Sequence, residues 1–191
     1  MSVSFSSLLA EHQRVLAATA SNCAEAVEAA GQMLVNALAA GHKVLLCGNG
    51  GSAADCQHMA AEIVGRFETE RRGWPAIALT TDSSALTALG NDYGYEQVFA
   101  RQVAALACSG DVLWAYSTSG RSANVLRACD VAKQRGCQVL ALTGAGPNPL
   151  SQMADVALCV PSANTARTQE VHLFLGHVLC SRIDAALSNG G

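Results

Sequence analysis

Two kinds of apolar pattern alternate along the chain. Short runs are apolar throughout, whereas the longer stretches between them carry apolar side chains every three or four residues. The short runs predict strands at residues 43–48, 75–80, 111–117, 137–144 and 155–160. Runs without polar alternation are typical of strands that are covered on both faces of a sheet.

The stretches with helical spacing predict the remaining elements, at residues 52–67, 82–107, 122–135, 149–153 and 166–187. Residues from about 5 to 40 predict one or two leading helices, because the helical spacing is broken only near Thr19 to Cys23. Strands that alternate with helices imply a parallel sheet with right-handed crossovers. The predicted fold is an α/β three-layer sandwich, flavodoxin-like and doubly wound, with a five-stranded parallel sheet and a helical N-terminus.

Composition adds an expectation about the surface. Half of the 191 residues are hydrophobic and 14% are charged, whereas about 25% is usual for a soluble domain. This composition excludes disorder, and so few charges leave apolar helical faces that we expect to be buried against sister subunits. The 12 basic and 15 acidic residues give a net charge of -3 without a basic run, which argues against binding to nucleic acid or to a membrane surface.

The eight cysteines form no C-x-x-C pair, and several lie inside apolar runs such as "KVLLC". Free cysteines in such runs behave as small buried hydrophobic residues. The N-terminal residues show no basic segment followed by an apolar stretch, and no window approaches 18 uninterrupted apolar residues. We therefore expect a protein of the reducing cytoplasm.

The first candidate site is the loop "CGNGGSAAD", where a strand leads through Gly48, Gly50 and Gly51 into a helix that opens at Ser52. Bare backbone N–H groups at a helix N-terminus favour an anion, and glycine lets the ligand approach. The spacing matches neither a dinucleotide fingerprint nor a nucleotide P-loop. Considered alone, the loop is equally well explained as a tight turn.

The second candidate is "YSTSGRSANV", where Ser117, Thr118 and Ser119 follow a strand and Ser122 lies in the first turn of the next helix. Hydroxyl groups beside a helix N-terminus can hold a sugar phosphate without a lysine. A helix cap accounts for one of these four residues, so we favour phosphate binding over a capped and solvated loop. A third segment at a strand end, residues 86–96, brings Asn91 and Asp92 after an apolar run, but Asn-Asp beside glycine is equally good turn chemistry.

Two helices carry groups that could move protons or bind a metal. His58, Glu62 and Arg66 follow one another at steps of four and so lie along one face of the predicted helix 52–67, as metal ligands or as a structural pair on an exposed face. In the last helix the candidates are Gln169, Glu170, His172 and His177, and periodicity cannot choose among them. Lone histidines in an apolar helix are more often core or interface groups than catalysts.

Together, "CGNGGSAADCQHMAAEIVGRF", "LTALGNDYGYE", "STSGRSANV" and "ARTQEVHLFLGH" resemble the phosphoheptose isomerases of the sugar isomerase (SIS) fold family. The resemblance covers nearly the whole chain. It implies a single SIS domain over residues 1–191 whose residues 1–40 also pack on neighbouring subunits, and a homotetramer with active sites between subunits. It also implies isomerisation of sedoheptulose 7-phosphate to D-glycero-D-manno-heptose 7-phosphate, the first step of bacterial ADP-heptose and nucleotide-heptose synthesis.

The resemblance also implies roles for individual residues. Glu62 and His177 match the acid/base pair of an enediol mechanism. A zinc ion, one per subunit, would be held by His58, Glu62, Gln169 and His177. Substrate contacts would come from Asn49, Gly50, Gly51, Ser52, Glu62, Arg66, Asn91, Asp92, Ser117, Thr118, Ser119, Ser122 and Gln169.

Two departures and two alternatives accompany this resemblance. Some family members carry an acidic residue where this chain has Ala166, and residues 145–152 lack the paired glycines that are common there. The chain also resembles a noncatalytic SIS-domain protein that binds the bacterial replication initiator, but that relative lacks the equivalents of Glu62 and His177. A sugar-phosphate-sensing regulator usually has an attached DNA-binding module, for which 191 residues leave no room.

Overall fold

One parallel sheet organises the computed structural model, which describes residues 4–188. The strands are β1 (Val44–Cys47), β2 (Ala76–Ala78), β3 (Val112–Ser117), β4 (Gln138–Thr143) and β5 (Val156–Cys159). They lie in the order β2-β1-β3-β4-β5, and every neighbouring pair is parallel. The predicted five-stranded parallel sheet is confirmed, although β2 lies at the edge and leaves Ile77 exposed instead of covered on both faces.

Helices cover both faces of the sheet. They are α1 (Phe5–Ala39), α2 (Gly51–Val64), α3 (Ser83–Tyr93), α4 (Val98–Leu106), α5 (Ala123–Gln134), α6 (Pro149–Met153) and α7 (Thr165–Leu187). One apolar core joins α1, α2 and α7 to alternate strand residues that include Leu46 and Trp114. A second core joins α4, α5 and α6 to the intervening strand residues, such as Leu45 and Ala115. This arrangement confirms the predicted three-layer sandwich.

Two helix boundaries differ from the prediction, and the leading segment, predicted as one or two helices, is a single helix. The leading helix α1 is continuous, because the Thr19 hydroxyl donates to the Val15 carbonyl at 2.8 Å and so stays within the helix. The predicted helix 82–107 is divided at Gly94, whose φ of +85° cannot continue a helix, and a 3₁₀ turn follows at Tyr95–Gln97. The predicted helix 52–67 ends at Val64, because the following Gly65 leaves helical geometry.

The strand order explains where a ligand site can form. The connection from β1 runs to the edge strand β2, whereas the connection from β3 runs to β4 on the other side of the sheet. The loops after β1 and β3 therefore separate and leave a crevice at the carboxyl ends of these strands.

None of the helices between residues 4 and 188 combines the length and hydropathy that a membrane span requires.

Candidate active site

The helices that follow β1 and β3 begin without a side-chain cap. Four other helices, α1, α3, α6 and α7, have N-cap side chains that accept a hydrogen bond from a first-turn N–H. At α2 the N-cap is Gly50, with a φ of +57° that favours glycine, and at α5 it is Ser122, whose hydroxyl makes no cap bond. The first N–H groups of these two helices are thus available to an anionic ligand.

The loop after β1 is tied to α5 by an amide pair. Asn49 Nδ2 donates to Asn124 Oδ1 at 2.9 Å, and Asn124 Nδ2 donates to Asn49 Oδ1 at 2.8 Å. The Tyr95 hydroxyl also donates to Asn49 Oδ1, at 3.2 Å. Asn124 is buried, so this pair holds the two loops of the crevice at a set separation.

Hydroxyl groups of the serine loop converge on one point. Ser117 Oγ lies 2.9 Å from Ser122 Oγ and 3.4 Å from Ser119 Oγ. A cavity of about 250 Å³ opens between this loop and the N-terminal part of α7. Its lining is rich in hydroxyl groups and consists of Thr118, Ser119, Ala145, Ser162, Ala163, Thr165 and Thr168.

The side chain of Gln169 lies directly over the start of α2. A Cβ atom at residue 51 would stand 2.6 Å from Gln169 Nε2, so only glycine leaves room for this amide. The contact joins the second turn of α7 to the glycine loop. Along α2, Gln169 therefore lies two turns before the level of His58.

His58, Glu62 and His177 form a compact polar cluster across the two helices. His58 Nε2 lies 3.0 Å from Glu62 Oε1 and 3.4 Å from His177 Nε2. Among residues 4–188 this is the one group of three His, Cys, Asp or Glu side chains whose ligand atoms all lie within 4.8 Å of one another. The Nε2 atom of a neutral His58 either carries a proton and donates to Glu62, or carries a lone pair and accepts from His177. The facing N and O atoms of the cluster therefore hold more lone pairs than protons. Such a donor set suits a divalent cation.

Two neighbours shape the environment of this cluster. The ring of Phe67 stacks on that of His177, with centroids 5.3 Å apart and an interplanar angle of 22°. Asp55 lies one turn before His58 on α2, and its Oδ2 atom is buried without a hydrogen-bond partner. Burial raises the pKa of Asp55 to about 6, against a smaller opposing effect of His58.

The other candidates of the last helix have structural partners. His172 is fully buried, and its Nε2 atom lies 3.2 Å from the Thr143 carbonyl oxygen, which can only accept. Burial lowers the pKa of His172 to about 4, and the bond to Thr143 opposes this in part. Glu170 lies 2.7 Å from His12 Nδ1 and binds Arg167, so it joins α1 to α7. His172 is thus a core histidine, as such residues most often are.

Three predicted substrate contacts lie apart from the cluster. Arg66 follows the end of α2, so it does not share the helix face of His58 and Glu62, and it forms an exposed ion pair with Glu70 at 3.2 Å. The placement of Asn91 and Asp92 in a loop at a strand end was wrong. Both are exposed in the last turn of α3, which starts after its Asp82 cap and continues to Gly94.

Sequence reasoning missed several residues of this region. Asn124, Tyr95 and Asp55 contact or adjoin predicted site residues, and Phe67 stacks on one of them. Asn124 and Asp55 could have been found from the sequence, because each is a polar residue at a core-facing position of an amphipathic helix. Phe67 gave no such signal, because an aromatic residue after a helix is unremarkable in sequence.

Comparison with known proteins gives consistent matches over most of the chain. The family model of the SIS domain matches residues 8–144. The chain is 52% identical over 178 residues to the phosphoheptose isomerase of Aliarcobacter butzleri, covering 93% of this chain and 94% of the relative. The solved phosphoheptose isomerase of Neisseria gonorrhoeae matches with a TM-score of 0.89 at 45% identity, over 94% of this chain and 96% of that one. The solved phosphoheptose isomerase of Francisella tularensis matches with a TM-score of 0.91 at 41% identity, over the same shares.

Proposed function

Because the chain belongs to the SIS domain family, and to its phosphoheptose isomerases, we propose that it converts sedoheptulose 7-phosphate to D-glycero-D-manno-heptose 7-phosphate. The reaction is an aldose-ketose isomerisation and the first step of bacterial ADP-heptose and nucleotide-heptose biosynthesis. The observation that carries the proposal is the convergence of Glu62 from α2 with His177 from α7. The loops suited to a phosphate lie at the starts of α2 and α5, about three helical turns from Glu62, which agrees with active sites built between subunits.

The reaction needs two proton transfers on adjacent carbons. A base removes a proton from C1, next to the C2 carbonyl, and an acid protonates O2, so that an enediol forms. Return of a proton to C2 and loss of the O1 proton then yield the aldehyde. Glu62 and His177 serve as this acid/base pair, a role supported by their approach to within 4.8 Å of each other.

The phosphate is held at the start of α5. Ser117, Ser119 and Ser122 supply hydroxyl donors, and the uncapped N–H groups of α5 add a partial positive charge. The hydroxyl-lined cavity beside this loop suits the polyol part of the substrate, since its lining offers donors and acceptors without a charged group. Gln169, Asn49 and the glycine loop contact the sugar chain.

The cluster of His58, Glu62 and His177 would bind one zinc ion per subunit. Gln169, the further ligand that the resemblance implies, lies over Gly51, two helical turns from His58 along α2, so within one subunit the fourth position stays open, as in catalytic zinc sites. Zn–N and Zn–O bonds of about 2.0–2.1 Å in a tetrahedron separate ligand atoms by roughly 3.3 Å. The separations of 3.0 and 3.4 Å within the cluster support this assignment. When bound, the metal supplies Lewis-acid polarisation of the sugar oxygens.

The protein works as a cytoplasmic homotetramer of single SIS domains, with active sites between subunits and with residues 1–40 packed on neighbouring subunits. Support comes from a largely apolar groove of about 600 Å³ between α1 and α7, and from Phe174, which is half exposed on α7. Each of the eight cysteines is a free thiol, which suits a reducing compartment. Light scattering after size exclusion tests the assembly, and a monomer would contradict it.

The decisive experiment is incubation of the purified protein with sedoheptulose 7-phosphate, followed by NMR detection of the aldose product. Turnover is expected, and its absence in zinc-reconstituted protein would overturn the proposal. The alternative, a noncatalytic SIS-domain protein that binds the replication initiator, is not favoured, because the relatives at about 50% identity are phosphoheptose isomerases.

A further inference from the structure

A buried ion pair lies behind the polar cluster, at the carboxyl end of α2. Arg71 Nε donates to Asp184 Oδ1 at 2.5 Å, and the two side chains are 1% and 4% exposed. Arg71 belongs to the loop between α2 and β2, and Asp184 belongs to α7. The pair therefore joins the two helices that carry the cluster.

Arg71 binds the backbone of Glu62 itself. Its Nη2 atom donates to the Glu62 carbonyl oxygen at 2.9 Å, and Nη1 donates to the carbonyl oxygens of Ile63 and Gly65 at 3.0 and 3.3 Å. Carbonyl groups in the last turn of a helix have no partner within the helix. The guanidinium group supplies those missing donors and holds the turn of α2 from which the Glu62 side chain extends.

Asp184 holds the other side of the same loop. Its Oδ2 atom accepts the N–H groups of Glu68 and Thr69 at 2.8 and 2.9 Å. These residues directly follow Phe67, whose ring stacks on His177. Burial raises the pKa of Asp184, but the hydrogen bonds from Thr69, Arg71 and Glu68 together outweigh this effect and leave the pKa lowered.

We propose that Arg71 and Asp184 are positioning residues of the isomerase reaction. The pair fixes Glu62 through its backbone and His177 through Phe67, so that two acid/base groups on different helices keep one separation. The inference rests on the proposed function, because it takes Glu62 and His177 as the groups that move protons. Neither Arg71 nor Asp184 needs to touch the substrate.

The chain offers a matched control in a buried carboxylate whose partners do not belong to the polar cluster. Asp111 accepts the N–H groups of Cys108 and Lys43 at 2.7 and 3.0 Å, and Lys43 Nζ lies 2.6 Å from its Oδ2 atom. This buried carboxylate has the same kinds of partners as Asp184, but it lies at the amino ends of β1 and β3. Asp111→Asn therefore reports the effect of a general loss of stability.

The test compares Arg71→Lys and Asp184→Asn with Asp111→Asn. Each variant is assayed with sedoheptulose 7-phosphate at a temperature where circular dichroism shows it fully folded. We expect the two positioning variants to lose about 10- to 100-fold in kcat with KM changed by less than about twofold, because small misplacement of a catalytic group is costly. Asp111→Asn should keep its kcat although it unfolds at a lower temperature.

A double-mutant cycle adds a readout that a structural defect would not give. In a Glu62→Gln background, Arg71→Lys should lower the residual turnover little further, because the group it positions is already inactive. If Arg71→Lys does not fold, Asp184→Asn takes its place in the cycle. Phe67→Leu in the wild-type background tests the link to His177 separately, since it removes the stack on His177 and leaves the buried pair intact.

Three outcomes are distinguishable. If wild-type protein turns over the substrate and folded Arg71→Lys and Asp184→Asn keep kcat within about twofold, the inference is wrong. A loss of kcat in Asp111→Asn equal to that in Asp184→Asn also contradicts it, since the effect would then follow stability alone. If the wild-type protein shows no turnover, the proposed function itself fails.

Discussion

Asn49 and Asn124 are joined by two reciprocal side-chain hydrogen bonds, of 2.9 and 2.8 Å, although 75 residues separate them in sequence. One residue lies in the loop after β1 and the other in the first turn of α5, so the pair spans the crevice where the two connections diverge. A polar bridge at this place couples the glycine loop to the serine loop.

We expect Asn124→Ala to weaken substrate binding more than chemistry. The change leaves the Asn49 amide without its buried partner, which typically costs about 1–3 kcal/mol of stability. It also frees the glycine loop, so KM should rise by about 10-fold while kcat changes less. Steady-state kinetics and urea unfolding measure both effects. Asn36→Ala, which removes an exposed amide on α1 that binds Gln32, should leave both unchanged.

Glu62→Gln should lose nearly all turnover, with a small residual rate, while it preserves sugar-phosphate binding and assembly. The amide has nearly the same shape as the carboxylate but cannot accept a proton, and a positioned acid/base contributes about 10²- to 10⁴-fold. Calorimetry and kinetics on one preparation separate the two properties. Glu170→Gln removes a second carboxylate that pairs with a histidine, and it should keep most of its activity. Substantial turnover by Glu62→Gln would remove Glu62 from its assigned role.

Zinc content should depend on His58. Protein purified without chelator and reconstituted with zinc is expected to hold about one ion per subunit, because the three N and O ligands of the cluster and one open position match a catalytic zinc site. His58→Ala should lower the affinity at least about 10-fold in a competition titration. His42→Ala removes a histidine that faces Asp111 and lies outside the cluster, and it should not change the zinc affinity. Wild-type protein free of zinc after reconstitution would withdraw the ligand set.

The framework of this fold could be predicted because its strands are buried. Each predicted strand lies within about two residues of the observed one at either end. A short run that is apolar throughout is stable only where both faces of the strand are buried, as in the interior of a parallel sheet. Helix ends were harder, because they depend on single residues. Gly94 divides the predicted helix 82–107 through its positive φ, whereas Thr19 lies in a continuous helix because its hydroxyl bonds within the turn.

Contacts between side chains that are far apart in sequence could not be predicted from the local pattern. His58 and His177 were found because each belongs to a motif that a known family shares. Nothing in the local pattern indicates that Arg71 would meet Asp184, since a charged loop residue is ordinarily solvated and its burial depends on how α7 crosses the end of α2.

The core histidine His172 makes the stability of the fold depend on pH. Its pKa is about 4 in the folded protein and 6.5 without burial, so between these values the unfolded chain binds a proton that the folded chain does not. The stability that His172 contributes is therefore complete above pH 6.5 and is lost as pH falls toward 4, by about 2 kcal/mol at pH 5. His172→Gln keeps an N–H for the Thr143 carbonyl and does not titrate, so its unfolding free energy should fall less between pH 7 and pH 5 in urea titrations. Asn36→Ala, an exposed change on α1 that leaves His172 in place, should fall as much as the wild type. An equal fall in His172→Gln and the wild type would show that His172 is not the group whose protonation destabilises the fold.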